Sequence, residues 1–271
     1  MITLLGLPWD RSSSFETGAA AGPAAIRAAL WHESSNTWNE QGHDLGAPGA
    51  LRDAGDVSVG EDPAGAREAI ERAVSGLLEA GERPILLGGD HSVTYPVLRA
   101  VAARHEGLTV VHVDAHGDLY DQFPPGPPGT GDRYSHACPF ARVMEDGLAA
   151  RLIQVGVRTL SGHQREQAAR FGVEVYGLAQ LADAPLRALR GPIYVSLDLD
   201  GLDPAFAPGV SHPEPGGLST AEVVRLLHTL PAGAVVGADV VELNPRRDIR
   251  DLTARVGAKL VKEVYGRMLA P

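Results

Sequence analysis

Short apolar runs alternate with amphipathic stretches almost from end to end of this chain, and nothing else in it constrains the fold as tightly. Residues 2–6, 84–88, 108–113, 152–157, 192–199 and 234–243 read as strands. The stretches 23–31, 62–79, 93–104, 162–171, 178–190, 220–230 and 251–268 read as helices, with Ser219 as the N-cap of 220–230 and Pro231 just past its end. The strands are apolar on both faces, which is the pattern of a parallel sheet buried between two helical layers. No internal repeat or compositional break marks a linker, so residues 1–271 read as one α/β domain. The apolar fraction, 44%, is enough for a sizeable core at this length. Residues 123–131, rich in Pro and Gly, read as a surface loop of the kind that gates a neighbouring site.

In open parallel sheets ligands bind beyond the carboxyl ends of the strands. The polar residues gather there. One strand runs into Gly89-Asp90-His91-Ser92, the next into Asp114-Ala115-His116-Gly117-Asp118, and later ones into Asp198-Leu199-Asp200 and Glu242. Side chains two apart on an extended chain share a face, so Asp114, His116 and Asp118 are expected to converge, as are Asp198 and Asp200. Singly, an Asp-x-His or Asp-x-Asp is more often a turn or a cap than a ligand set. Together they place several carboxylates and imidazoles at one sheet edge, an arrangement that repels itself unless cations lie within it. The expectation is a site for two divalent ions. Oxygen and imidazole ligands without thiolate favour Mn²⁺, with Ni²⁺, Co²⁺, Fe²⁺ and Zn²⁺ compatible. Two ions about 3.5–4 Å apart can share a hydroxide, with Asp114 and Asp198 as bridging carboxylates. His112 faces away from its odd-numbered strand neighbours and reads as core.

A formal charge of −10 and the lack of any Lys/Arg block argue against a nucleic-acid surface. No apolar stretch is long enough to cross a bilayer. Cys138 is the sole cysteine, so an intramolecular disulfide is excluded. With no leader-like pattern in residues 1–6, the expected location is the cytoplasm.

These residues resemble a family, the ureohydrolases, which comprises arginases, agmatinases and their relatives. Gly88-Gly89-Asp90-His91-Ser92, Asp114-Ala115-His116-Gly117-Asp118 and Ser196-Leu197-Asp198-Leu199-Asp200-Gly201-Leu202-Asp203-Pro204 look like its metal signatures. Tyr134-Ser135-His136 and Val241-Glu242-Leu243-Asn244-Pro245 look like its other active-site segments. The stretches 133–137, 209–212 and 13–15 are most similar to plant-type arginases. The resemblance implies a three-layer αβα sandwich around a mainly parallel eight-stranded sheet, and a homo-oligomer, trimer or hexamer. It implies one ion held by His91, Asp114, Asp118 and Asp198, and a second by His116, Asp114, Asp198 and Asp200.

It further implies hydrolysis of a guanidino substrate, L-arginine or agmatine, to urea and ornithine or putrescine. A guanidinium is a poor electrophile and needs a strong nucleophile held close. Glu242 suits the guanidinium as a bidentate partner. Asp118 is the candidate proton shuttle and His136 the candidate acid that protonates the departing amine. A Cys138–His136 nucleophile pair is a rival reading, disfavoured because it leaves the metal cluster without a purpose. Animal-type arginases carry Asn where this chain has Tyr120, and acids where Thr159, Leu160 and Ser161 follow Gly156-Val157-Arg158. Tyr120 is therefore a candidate substrate contact. Other readings are a guanidinobutyrase, guanidine hydrolase or formimidoylglutamase on the same fold, or a non-catalytic metal-binding protein.

Overall fold

The computed structural model describes residues 1–269. Eight strands, all parallel, form one sheet: β1 (Ile2–Leu7), β2 (Leu51–Asp56), β3 (Arg83–Gly88), β4 (Thr109–Val113), β5 (Arg151–Val155), β6 (Glu174–Tyr176), β7 (Ile193–Asp198) and β8 (Val235–Val241), in the order β2-β1-β3-β8-β7-β4-β5-β6. The helices are α1 (Gly22–Leu30), α2 (Pro63–Glu79), α3 (Thr94–Ala102), α4 (Pro139–Glu145), α5 (Gly162–Phe171), α6 (Thr220–Thr229) and α7 (Leu252–Met268). Strand alternation sorts the core into two layers. Ile85, Leu87, Val111, Val113, Val195 and Leu197 pack with α1, α6 and α7 on one face. Leu86, Val110, Leu152 and Tyr194 pack with α2, α3 and α4 on the other. This is the expected αβα sandwich.

The Ser219 cap is observed as a full capping box, Ser219 Oγ accepting from Glu222 N while the Glu222 carboxylate accepts from Ser219 N. The expected helix at 178–190 is absent. Two short 3₁₀ turns, Leu178–Asp183 and Leu186–Ala188, stand there instead. Pro185 between them has no N–H for a continuing helix, and Leu186 and Leu189 are buried as separate anchors. The edge strands β2 and β6 and the short α4 were not expected. β2 is the polar Leu-Arg-Asp-Ala-Gly-Asp with no fully buried residue, and β6 has three residues, so neither carries the apolar signature of a central strand.

The chain leaves β3 and enters β4 three places away, with β8 and β7 later filling the gap. The carboxyl ends of β3, β8, β7 and β4 thus lie side by side at a switch point of the sheet, where a crevice opens. All the polar strings follow these four strands.

Candidate functional site

Asp114 leaves the sheet one residue past β4. Its Oδ1 accepts the His116 N–H at 2.5 Å, a tight turn that brings the imidazole back beside the carboxylate. Asp118 then lies in the left-handed region at φ 47°. Asp198 ends β7, and its Oδ1 accepts from Asp200 N at 2.7 Å in the 3₁₀ turn Leu199–Gly201. The two strings do converge, by carboxylate-closed turns rather than by continued strand alternation.

Two cradles result. His91 Nδ1 lies 3.3 Å from Asp114 Oδ2, 3.1 Å from Asp118 Oδ2 and 3.0 Å from Asp198 Oδ2. His116 Nδ1 lies 3.4 Å from Asp114 Oδ1 and 3.0 Å from Asp200 Oδ2. The two oxygens of Asp114 therefore face different cradles, as a bridging carboxylate must. Asp198 Oδ2 faces His91, and its Oδ1 is committed to the Asp200 N–H.

The residues around the cradles fix which His91 nitrogen is free. Ser196 Oγ donates to Asp239 Oδ1 at 2.6 Å, so it accepts from His91 Nε2 at 2.9 Å. Asp239 is held in turn by Tyr194 OH and Thr94 Oγ1, at 2.8 and 2.9 Å. With its proton on Nε2, His91 turns the Nδ1 lone pair toward three carboxylate oxygens. That atom is buried and has no hydrogen-bond partner. A cation among these four groups resolves the repulsion, and the donor set suits a hard to borderline divalent ion. A metal fits.

Titration tells the same story. Burial beside Asp200 and Asp114 pushes Asp198 well above the carboxylate range, and burial beside Asp114 pushes Asp200 up to about 7. His91 is driven up by its carboxylates against the pull of burial. Without metal the cluster holds protons, which cations would displace.

His112 is not a passive core residue. Gln154 Nε2 donates to Gly117 O at 2.6 Å and to His112 Nδ1 at 3.0 Å, so His112 Nε2–H donates to Asp114 Oδ2 at 2.7 Å. It orients the bridging carboxylate. His112 shares the parity of Asp114, so the period-two argument already pointed to it. Asp239, a charge inside an apolar strand, was a second signal.

Glu242 follows β8 with φ 66°, a backbone region that costs a non-glycine residue about 1–3 kcal/mol. Its Oε1 accepts from His91 N and from His136 Nδ1, each at 2.8 Å. The Ser14 N–H donates to His136 Nε2 at 3.1 Å, and Ser14 Oγ lies 2.8 Å from the same atom. The neutral imidazole thus carries its proton on Nδ1. Burial disfavours the charged imidazole, but Glu242 outweighs it and lifts His136 to about 9. Burial acts to raise Glu242, and His136 outweighs it and brings the carboxyl below its ordinary value. Cys138 is buried, and burial pushes its thiol far from the thiolate form. That removes the basis for a thiol nucleophile.

Cradles, Glu242 and His136 open onto one cavity of about 280 Å³, also lined by Ser14, Tyr120, Phe123, Thr159, Gln164, His212 and Glu214. Tyr120 stacks on His163 with ring centroids 5.6 Å apart and makes an edge contact with Phe123. The 123–131 loop is closed at its base by paired Phe123 and Asp132 backbone bonds and wraps the Gln122 amide; Phe123 lines the cavity and residues 124–130 are exposed.

No described helix is long and apolar enough to cross a membrane. Residues 1–266 match the family model described as "Arginase family". The chain is 46% identical to "Arginase 1, mitochondrial" of Arabidopsis thaliana over 98% of this chain and 80% of that protein. It is 36% identical to a guanidinopropionase of Pseudomonas aeruginosa over 97% of this chain and 85% of that one. Among solved structures, an arginase from Medicago truncatula superposes with a TM-score of 0.90 at 41% identity, covering 98% of this chain and 87% of that one. The expected cytoplasmic location is contradicted, because plant relatives of this chain are mitochondrial arginases. With its sheet order, paired cradles and full-length likeness to plant arginases, the chain belongs to the arginase family of hydrolases acting on amidino C–N bonds.

Proposed function

We propose that this protein hydrolyses the guanidino group of L-arginine or agmatine, releasing urea with ornithine or putrescine. The likeness to plant arginases favours arginine. The observation that carries the reading is Glu242: a carboxylate fixed at positive φ, with one oxygen held by His91 N and His136, in the same cavity as both cradles. Its Oε2 takes no donor from the described residues and is free to accept a guanidinium N–H.

In this reading His91, Asp114, Asp118 and Asp198 would hold one divalent ion, and His116, Asp114, Asp198 and Asp200 the other, most simply Mn²⁺. Such a pair supplies Lewis acidity and a water acidified toward neutral pH. Glu242 orients the guanidinium so that its carbon faces the cradles. Asp118, at the edge of the cavity, takes up the proton released on attack. His136 delivers a proton from Nε2 to the departing amine, with Ser14 Oγ as acceptor for Nε2–H when the imidazole is charged. Tyr120 forms part of the pocket wall. We also propose a homo-oligomer, trimer or hexamer, testable by light scattering of the eluting protein.

The test is urea release from arginine, agmatine, guanidinobutyrate and free guanidine, with Mn²⁺ and with Ni²⁺. Urea from arginine or agmatine with either metal is the expected result. No urea from either substrate with both metals overturns the proposal.

A further inference from the structure

Asp90 is a fully buried carboxylate that belongs to neither cradle. Its Oδ1 accepts from Ser92 N at 3.1 Å, and its Oδ2 from Ser12 N at 2.9 Å and Ser13 Oγ at 3.3 Å. Ser12 is held from two further sides: its Oγ accepts from Trp9 Nε1 and its carbonyl from His136 N, each at 3.1 Å. A buried carboxylate is costly to keep, and this one fixes a loop whose next residue, Ser14, is exposed. Ser14 Oγ lies 2.8 Å from His136 Nε2, while Glu242 engages Nδ1. Neither ring nitrogen is left to reach a departing amine directly. Of the hydroxyls that line the cavity, Thr159 Oγ1 donates to the Ala115 carbonyl at 3.1 Å and Tyr120 stacks on His163; only Ser14 hydrogen-bonds to His136.

We propose that Ser14 is a catalytic residue whose hydroxyl carries the His136 proton to the departing nitrogen. The C–N bond breaks with its electron pair left on that nitrogen, which takes the proton of Ser14 Oγ. The oxygen takes the proton of His136 Nε2 in turn, and the ring ends neutral with its remaining proton on Nδ1, against Glu242. The proton released when the next water is taken up restores the charged ring, so no further reactant is needed. The observed contacts are those of the ring after transfer. Ser14 N–H donates to Nε2 at 3.1 Å, and a donor aimed at that lone pair favours the ring that has given its proton up. Burial sets the direction. Glu242 is 3% exposed and His136 8%, whereas Ser14 is exposed, so the hydroxyl stands outward of the guanidinium partner, on the side where the alkyl nitrogen of a substrate leaves. The anchorage through Asp90 and Ser12 holds the hydroxyl in place before the reaction, which lowers the entropic cost of the transfer.

The relay rests on the proposed amidinohydrolase reading, and one experiment separates the two. Ser14→Thr keeps the hydroxyl, and Ser14→Val has the shape of that variant without it. Urea release by the Mn²⁺-loaded parent and variants is measured with arginine and agmatine. It is measured also with the guanidinooxy analogue of the better substrate, in which oxygen replaces the methylene beside the departing nitrogen and makes that nitrogen far less basic. With the better substrate, Ser14→Val should lower kcat by about 10²–10³-fold and Ser14→Thr by less than about tenfold, with KM moved no more than about threefold in either. The analogue leaves with little proton assistance, so its Ser14→Val loss should shrink to less than about tenfold. Combining Ser14→Val with His136→Ala should cost no more kcat than the larger single loss, because members of one relay act as a unit. Equal kcat for the Thr and Val variants, losses that add in the double variant, or a Val loss as large with the analogue as with the substrate overturns the relay and leaves the activity standing. No urea from the parent with either arginine or agmatine overturns both. Where Ser14→Val fails to fold, Ser14→Ala decides by the same comparison of substrate with analogue.

Discussion

The hydrogen-bond chain behind His91 makes a sharp claim about metal affinity. Ser196 Oγ links His91 Nε2 to Asp239, and both side chains are fully buried. Ser196→Ala removes one oxygen and adds nothing, so no new clash arises. Two effects follow. The His91 Nε2–H becomes a buried donor without a partner, which costs about 1–3 kcal/mol. The ring can instead move its proton to Nδ1, where the carboxylates of Asp114, Asp118 and Asp198 at 3.0–3.3 Å accept it and compete with a cation. Losing an outer-shell partner of a ligating histidine typically lowers metal affinity about 10–100-fold, or about 1.4–2.7 kcal/mol. The assay is Mn²⁺ titration followed by the EPR signal of the free ion, at one pH and buffer. Tyr194→Phe is the control: it takes a hydroxyl from the same Asp239, 2.8 Å away, without touching His91. It should cost stability but shift the Mn²⁺ affinity no more than about threefold. If Ser196→Ala lowers the melting temperature yet binds Mn²⁺ as tightly as the parent, the chain is scaffolding and the tautomer argument is wrong.

Other expectations follow from the same geometry. His136→Ala should lower kcat by about 10²–10⁴-fold with Mn²⁺ content near normal, and an unchanged kcat removes His136 from the chemistry. Asp114→Asn should abolish turnover and lower metal occupancy, since both its oxygens face cradles; a near-normal rate with full occupancy would contradict the bridging assignment. Asp200 sits at about 7 in the metal-free chain. Below that pH a proton must leave before an ion enters, so Mn²⁺ affinity should fall by about tenfold per pH unit per displaced proton from pH 7 downward, with equal affinities at pH 6 and pH 8 as the refuting result. The same raised carboxyl is protonated in the fold and ionised in the unfolded chain between about 4 and 7, so the metal-free protein should lose stability as pH rises through that window. Gly89→Ala would set a Cβ 1.8 Å from the Trp9 carbonyl oxygen, which itself accepts from Asp90 N. A loss of about 3 kcal/mol or more in urea unfolding is expected, and a loss below about 1 would mean the backbone yields there.

The parts of the site legible in the sequence are those that follow one strand directly. Asp114, Asp198 and Glu242 each stand at or next to a strand end, so apolar runs and the switch-point rule located them. His116, Asp118 and Asp200 were grouped correctly for an incomplete reason. They meet because the Asp114 and Asp198 carboxylates each close a turn on the amide two residues on, and that turn has the same period as a strand. The spacing alone cannot separate the two geometries, but only the turn frees one oxygen of each pair to point elsewhere. Elements held by contacts distant in sequence were less legible. β2 and β6 exist because a neighbouring strand pairs with them, and Leu178–Asp183 sets only Leu181 partly against the core while Leu178 stays exposed, so it carries no helical face.

What sequence spacing could not deliver is protonation, and protonation decides what the groups can do. Ser14 lies 122 residues from His136 in the chain, yet its N–H sets which imidazole nitrogen carries the proton of the neutral ring. Gln154 does the same for His112 across 42 residues, and Ser196 for His91 across 105. All three histidines are neutral-capable rings whose tautomer is dictated by a partner of fixed donor or acceptor sense: a backbone N–H, an amide already committed to a carbonyl, a hydroxyl already committed to a carboxylate. Two of those choices serve the cradles, by baring a lone pair at His91 and by pinning the bridging oxygen of Asp114. The third keeps the lone pair of the neutral His136 ring on Nε2, against Ser14, while Glu242 at Nδ1 stabilises the charged ring. The period-two carboxylates thus provide the negative charge that draws cations in, and three polar relays, two through side chains and one through a backbone N–H, convert that charge into a directed set of lone pairs.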